Sequence, residues 1–349
     1  MSHYVFATWD GGGNVPVEIG MALGLITLDH RVTFLGPEVL RAQVEEAGID
    51  FRRFGDPFSP DPADAVRHLV CDVIGSPTLR DEMIDVVAEL RPDALAIDHM
   101  LSSTIEITTD IPVAVLVSTI YGGFVEVCEQ FVAQANTWRT AEHLAPLPTA
   151  AETWSSRQLL LIPALAAFDP APTVPTNAIH VGPVIHHRNA STTWSLPWDS
   201  TDDRPIVLAS FSTMLLGNPP ELLQRVLDGL ADLPVRVIVT TGGAYPPTLL
   251  QPPVYAAVFD YIPHDSLMPR ASIAITHGGH GTTMQALAHA VPLVCIPGVG
   301  LDQAIIANRV DELGLGIALE GDASPDTVAH AVTTLLLDRT IHQRAREFQ

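Results

Sequence analysis

The densest chemistry in this chain lies at His277-Gly278-Gly279-His280-Gly281-Thr282-Thr283, directly after the apolar run Ile273-Ala274-Ile275-Thr276. A strand that ends in glycines and turns into a helix offers free N–H groups at the positive end of a helix dipole, which suits an anion. Thr282 and Thr283 read as caps of that helix, and His277 stands where it could donate to the same anion. Further on, Asp302-Gln303 pairs a carboxylate with an amide after a glycine-bearing loop, a combination suited to vicinal sugar hydroxyls. An ordinary helix N-cap is the alternative for Asp302. Ser210-Phe211-Ser212-Thr213 follows another apolar run and offers hydroxyls, or else caps. His277 and His280 have the spacing of two metal ligands, but no nearby carboxylate completes a site, so no metal is expected.

Composition limits the chemistry further. The 349 residues hold 18 basic and 40 acidic side chains, for a formal net charge of −22, and every basic residue is Arg. Without lysine, no Schiff base and no P-loop lysine can form. Such acidity also argues against nucleic acid, which needs clustered cations. Cys71, Cys128 and Cys295 lack metal spacing and read as reduced core residues. No apolar run reaches the roughly 18 residues of a membrane helix; 111–125 comes closest. With no basic n-region at the start, a cytoplasmic protein with no membrane partner is expected.

The elements that must position these residues read as α/β. Tyr4–Thr8, the turn Gly11-Gly12-Gly13, a helix over Val15–Leu28 and a strand from His30 to Gly36 form an opening βαβ unit. Strands follow at Ala94–Ile97 and Val113–Val117, with a helix over Arg80–Leu90. The polar stretch 186–204 lacks periodicity and reads as a linker. The pattern then restarts: strands at Pro205–Ser210, Val235–Thr240, Val254–Asp260, Ser272–Thr276 and Pro292–Ile296, with helices over Glu221–Leu230 and Thr282–His289. The expected architecture is a first domain over 1–185, a linker over 186–204 and a second domain over 205–349. Two Rossmann-like doubly wound domains would face each other across a cleft.

These motifs together resemble the donor signature of the GT1 glycosyltransferases, a GT-B family with many bacterial natural-product enzymes. The resemblance runs through His277–Thr282, Ala286-Leu287, Val291-Pro292, Pro297, Asp302-Gln303 and Asn308-Arg309-Val310. It extends to Tyr261-Ile262-Pro263-His264, Ser210–Thr213, Arg91–Asp98 and Val181-Gly182-Pro183. It implies an inverting, metal-independent transfer of a hexose-type sugar from a UDP- or TDP-sugar to a hydroxyl of a small lipophilic or aromatic acceptor. No cofactor is implied beyond the nucleotide sugar as co-substrate, and a homodimer stays open. By resemblance, His277, Gly279, His280, Gly281 and Thr282 meet the diphosphate, with Ser212 and Thr213 on the phosphate side. Tyr261 and Ile262 flank the base, and Asp302 and Gln303 hold the sugar. Gln285 stands where many relatives keep a ribose-binding glutamate. The first domain would bind the acceptor, and a final helix would return to it, although few residues remain after Arg339.

One departure stands out. Relatives carry a histidine base on the loop after the first strand, oriented by an aspartate. Here the loop reads Trp9-Asp10-Gly11-Gly12-Gly13-Asn14, and Asn14 takes the histidine's place while Asp98 matches the aspartate. An amide is no general base. Asp98 or Asp10 could serve instead, or an acidic acceptor could need only positioning. Otherwise the chain is an inactive relative that binds nucleotide or assists a partner enzyme. His99 is a substitute only if the strand has ended at Asp98, because neighbours on a strand point to opposite faces.

Overall fold

The computed structural model describes residues 1–57, 62–185, 194–199, 201–212 and 219–349. The chain divides into two compact units, Met1–His186 and His187–Gln349. Thr213 and the whole 186–193 stretch lie outside the described residues.

The first unit holds seven strands: β1 (His3–Ala7), β2 (Arg31–Gly36), β3 (Asp50–Arg53), β4 (Ala94–Asp98), β5 (Val113–Leu116), β6 (Leu159–Ile162) and β7 (Ala178–His180). They pair in the order β3-β2-β1-β4-β5-β6-β7, and every pair is parallel. The second unit holds β8 (Ile206–Ser210), β9 (Arg236–Thr240), β10 (Ala256–Phe259), β11 (Ile273–Thr276), β12 (Leu293–Cys295) and β13 (Gly316–Ala318). Their order is β10-β9-β8-β11-β12-β13, again all parallel. Both are doubly wound sheets of Rossmann type. Strand order reverses between β1 and β4 in one and between β8 and β11 in the other, and ligands of such sheets bind beyond the carboxyl ends at those switch points.

The sequence explains the central strands. β8, β9 and β11 are buried along their whole length, as expected of strands covered by helices on both faces and written as continuous apolar runs. The helix Pro220–Leu230 buries Leu222, Leu223, Val226, Leu227 and Leu230 at helical spacing, and these join Val332 and Leu335 of the helix Pro325–Leu337 in one core. Gly229 lets the two helices approach, because a Cβ there would strike the Pro325 carbonyl.

Several expectations shift. The apolar run 111–125 supplies β5, as expected from Val113–Val117, then a loop and the start of the helix Phe124–Ala141. The helix expected from Thr282 begins at His280, with Gly279 as N-cap and no side-chain cap. Thr282 and Thr283 therefore sit inside its first turn rather than capping it. The short strands β3, β6, β7 and β13 carry too few residues for a period to register. Among the linker residues described, Trp194 donates to Ser266 Oγ at 2.6 Å, and the Arg270 guanidinium lies over its ring. Arg236 lies over Trp198, so these aromatics belong to the second unit. The last helix, Arg339–Phe348, meets the same unit through His342 Nε2 at Leu335 O. The Gln349 side chain, just beyond it, donates to Ala288 O at 2.9 Å. Among the described residues no helix is long and apolar enough to cross a membrane.

Candidate active site

The anion-suited turn sits past β11, the switch strand of the second sheet. Gly278 has φ +81°, a left-handed conformation that favours glycine, and a Cβ on it would press on Gln303 O at 2.7 Å. A Cβ on Gly279 would run into the His277 ring. The glycines therefore let the turn fold tightly beneath the imidazole. With no side chain capping the helix His280–Ala288, its first-turn N–H groups stay available to an outside acceptor, the arrangement that binds phosphates. Burial pushes the His277 pKa down to about 4, so at neutral pH it is an uncharged donor. Phe211 packs against its ring at 6.2 Å.

The other expected donor residues fall into distinct environments. Tyr261 is 45% exposed while Ile262 is buried, consistent with one side chain open to a ligand and one anchoring the turn. Gln285 is half-buried on the outer part of the first helical turns. Ser212 is half-buried; Thr213 is outside the described residues. Ser210 is spoken for: Thr240 donates to its hydroxyl at 2.7 Å and His264 Nε2 lies 3.1 Å away. Asp302 is the N-cap residue of the helix Gln303–Glu312, yet its side chain makes no cap bond. Gln303 is buried, and its Oε1 accepts from Gly298 N at 2.7 Å. That amide fixes the 298–300 loop and leaves only its Nε2 for a ligand.

A second cluster lies past the switch strands of the first sheet. β1 runs into Thr8-Trp9-Asp10, and the helix Asn14–Thr27 starts from Gly13. Asn14 Nδ2 reaches Thr8 Oγ1 at 2.9 Å, Trp9 O at 3.0 Å and Asp98 Oδ2 at 3.3 Å. Trp9 O and the Asp98 carboxylate only accept, so the amide orientation is fixed. Its Oδ1 is buried without a partner. Asp98 is fully buried. Its Oδ1 accepts from Met100 N at 2.8 Å, and its Oδ2 also accepts from Ser118 Oγ at 3.0 Å. A carboxylate so enclosed is suited to holding its neighbours. Asp10, by contrast, is half-buried, and desolvation raises its pKa.

β4 ends at Asp98, so the condition for His99 to join it is met. His99 Nδ1 lies 3.3 Å from Asp98 Oδ1 and 3.1 Å from Leu116 O. The carbonyl can only accept, so Nδ1 carries the hydrogen. The ring is packed edge-on against Phe124 and Trp154.

Residues 224–349 match the family "Erythromycin biosynthesis protein CIII-like, C-terminal domain". The solved calicheamicin glycosyltransferase CalG4 superposes over 100% of this chain and 93% of its own, with a TM-score of 0.78 at 23% identity. The chain has the GT-B fold, and part of it is similar to glycosyltransferases. The spinosyn forosaminyltransferase SpnP shares that GT-B fold over 99% of this chain and 93% of its own, with a TM-score of 0.78 at 20% identity. A "PGL/p-HBAD biosynthesis glycosyltransferase" of Mycobacterium tuberculosis (strain ATCC 25177 / H37Ra) is 34% identical over 180 residues, covering 51% of this chain and 40% of that protein. The "NDP-glycosyltransferase YjiC" of Bacillus subtilis (strain 168) is 32% identical over 150 residues, covering 42% of this chain and 38% of that one. The chain thus matches about two fifths of the length of these curated relatives.

Two members of the first-unit cluster escape sequence reading. Glu18 is buried beside Asp98 on the helix Asn14–Thr27, and Ser118 bridges the two. A signal for Glu18 was present: it is the single charged residue in an otherwise apolar helix. Asp169 is the other hidden organiser. It accepts from the backbone N–H of Tyr121, Gly122 and Ala171 and from His180 Nε2, which holds the loop ahead of the helix Phe124–Ala141. Among the described residues no cluster of His, Cys, Asp and Glu could hold a metal ion.

Proposed function

We propose that the chain transfers a hexose-type sugar from a UDP- or TDP-sugar to a hydroxyl of a small lipophilic or aromatic acceptor, with inversion and without a metal. The uncapped helix start at His280, under a neutral His277 and a glycine turn at the sheet's switch point, carries this reading. The second unit would hold the donor. Its diphosphate would take first-turn N–H groups, the His277 N–H and Thr282; Tyr261 and Ile262 would flank the base, Gln285 the ribose, and Asp302 with Gln303 Nε2 the sugar. The leaving diphosphate gains charge as the bond to the anomeric carbon breaks, and fixed donors at that point lower the barrier. With no lysine in the chain, dipoles must do this.

The first unit would hold the acceptor. Asn14, whose Oδ1 is unpartnered, helps to orient the acceptor, whose single O–H hydrogen points to Asp10. Asp10, half-buried and with its pKa raised by burial, takes the proton while the oxygen attacks the anomeric carbon and the nucleoside diphosphate departs. Asp98 holds Asn14. A relative named for PGL/p-HBAD biosynthesis and a structural neighbour named a spinosyn forosaminyltransferase support a small-molecule acceptor. Asn14 also favours a second reading, a nucleotide-binding relative that catalyses no transfer.

Thermal shift with UDP and TDP tests the donor site: a rise in melting temperature at millimolar nucleotide is expected, and none with either sinks the assignment. Transfer to a panel of phenolic and alcoholic acceptors separates enzyme from binder. Asp10→Asn should lower transfer about 100-fold or more while the nucleotide shift stays; unchanged transfer removes Asp10 as base.

A further inference from the structure

Glu18 has no place in the mechanism so far, yet it is 1% exposed and lies at the point where β1, β4 and the end of β5 converge. Its surroundings do not suit a charged carboxylate. Oε2 receives no donor. The Ser118 hydroxyl lies 3.4 Å from Oε1 but 3.0 Å from Asp98 Oδ2, and its one hydrogen serves the shorter contact. The titratable groups facing Glu18 are Asp98 on β4 and, across it, His99. Among the described residues no arginine ion-pairs with either carboxyl, and the chain has no lysine. Two neighbouring buried carboxyls with no arginine or lysine beside them resist being ionised together.

We infer that Glu18 is a positioning residue: it shares one proton with Asp98, and holding that proton on Glu18 keeps Asp98 an acceptor that grips the Asn14 amide at the acceptor end of the proposed site. The inference rests on the transferase reading above. With the proton on Glu18, Asp98 is a pure acceptor, draws Asn14 Nδ2 toward itself and leaves Oδ1 free, as the hydrogen bonds show. With the proton on Asp98, one of its oxygens becomes a donor and the grip on Asn14 Nδ2 weakens, while Trp9 O keeps the amide facing the same way. Glu18 is the better holder of the proton: burial, the Asp98 charge and the hydrogen bond to Asp98 all push its pKa well above the usual carboxylate range, and the hydroxyls of Thr8 and Ser118 offset this only in part. Asp98 has the fuller set of donors. Asn14 and Glu18 sit one helical turn apart, so the helix presents both to the same carboxylate.

Three variants test this. Glu18→Gln keeps an N–H donor toward Asp98, whereas Glu18→Leu removes that donor and leaves Asp98 facing an apolar side chain. Infrared spectroscopy at neutral pH should show a protonated-carboxyl stretch in the wild type that Glu18→Gln loses; no such band, or one that persists, overturns the shared proton. A raised folded-state pKa means the wild type loses stability as pH climbs from the unfolded value toward the folded one. Glu18→Gln should therefore gain melting temperature over wild type as pH rises, and a gap constant with pH counts against the proposal. In transfer assays Glu18→Leu should raise the acceptor KM about tenfold or more with nucleotide binding unchanged, while Glu18→Gln stays within about twofold of wild type; equal KM in Leu and wild type overturns the positioning role. Asn14→Asp, which offers no fixed donor to Asp98, should lose acceptor affinity as Glu18→Leu does. Should no acceptor be turned over at all, the transferase reading fails, while the infrared and stability results still decide the proton.

Discussion

At the scale of single residues, the donor site depends on close approaches that a methyl group would spoil. Gly278→Ala places a side chain at φ +81° against the Gln303 carbonyl and should cost about 1–3 kcal/mol of stability, read by denaturant unfolding. Gly279→Ala forces the His277 imidazole aside; the fold should survive while the nucleotide-induced melting shift collapses. His277 itself is neutral because burial holds its pKa near 4, so it contributes a hydrogen bond rather than a charge. His277→Ala should weaken UDP or TDP binding by about 1.5–3 kcal/mol, roughly 10- to 150-fold by calorimetry. The loss should be about the same at pH 6 and pH 8, since the ring stays uncharged across that range. A loss confined to the lower pH would show an imidazolium instead. Cys295 shows the same desolvation on a thiol, pushed up to about 12.

At the scale of elements, loops are held by buried polar side chains rather than by secondary structure. Asp169 is the clearest. Burial alone would raise its pKa, but His180 and the N–H groups of Tyr121, Gly122 and Ala171 outweigh it and hold the carboxyl below its ordinary value. A depressed pKa contributes stability that is present above the unfolded value and lost as pH falls through the folded one, so this clamp operates at neutral pH and fails in acid. Asp169→Ala leaves those donors buried and unmet and should destabilise the first unit by about 2–4 kcal/mol at pH 7, measured by urea unfolding. Asp98 works similarly past β4, and the pairing of its strand with β1 and β5 sets Asn14 and Ser118 around one carboxylate. The arrangement was half legible. Asp98 and Asn14 stand out by their motifs, whereas Ser118 belongs to an apolar run in which nothing distinguishes it until β5 ends at Leu116.

At the scale of the whole molecule, the charge of −22 without lysine leaves arginine to do all cationic work, and much of it is structural. Arg139 donates to the carbonyls of Gly75 and Ala145, and Arg204 pairs with Asp202 while lying over Tyr255. Salt should therefore stabilise the protein by screening carboxylate repulsion: moderate sodium chloride should raise the melting temperature at neutral pH, and a fall would show that ion pairs outweigh repulsion. The three cysteines are buried and form no disulfide, so no thiol should react with a disulfide reagent in the native protein and all should react in denaturant.

The sequence by itself determined two α/β units and the strand–glycine–helix turn at His277, because continuous apolar runs and glycine spacing are local signals that each segment carries alone. It also showed that any diphosphate here must be bound without lysine. Only the tertiary structure decided what the carboxyl ends of separate strands bring together. It put Glu18 against Asp98, turned Asn14 so that its carbonyl oxygen is free, and committed Gln303 to its own loop. Those outcomes depend on strand order and register, which join residues as far apart as Glu18 and Ser118, and no local pattern encodes such a pairing.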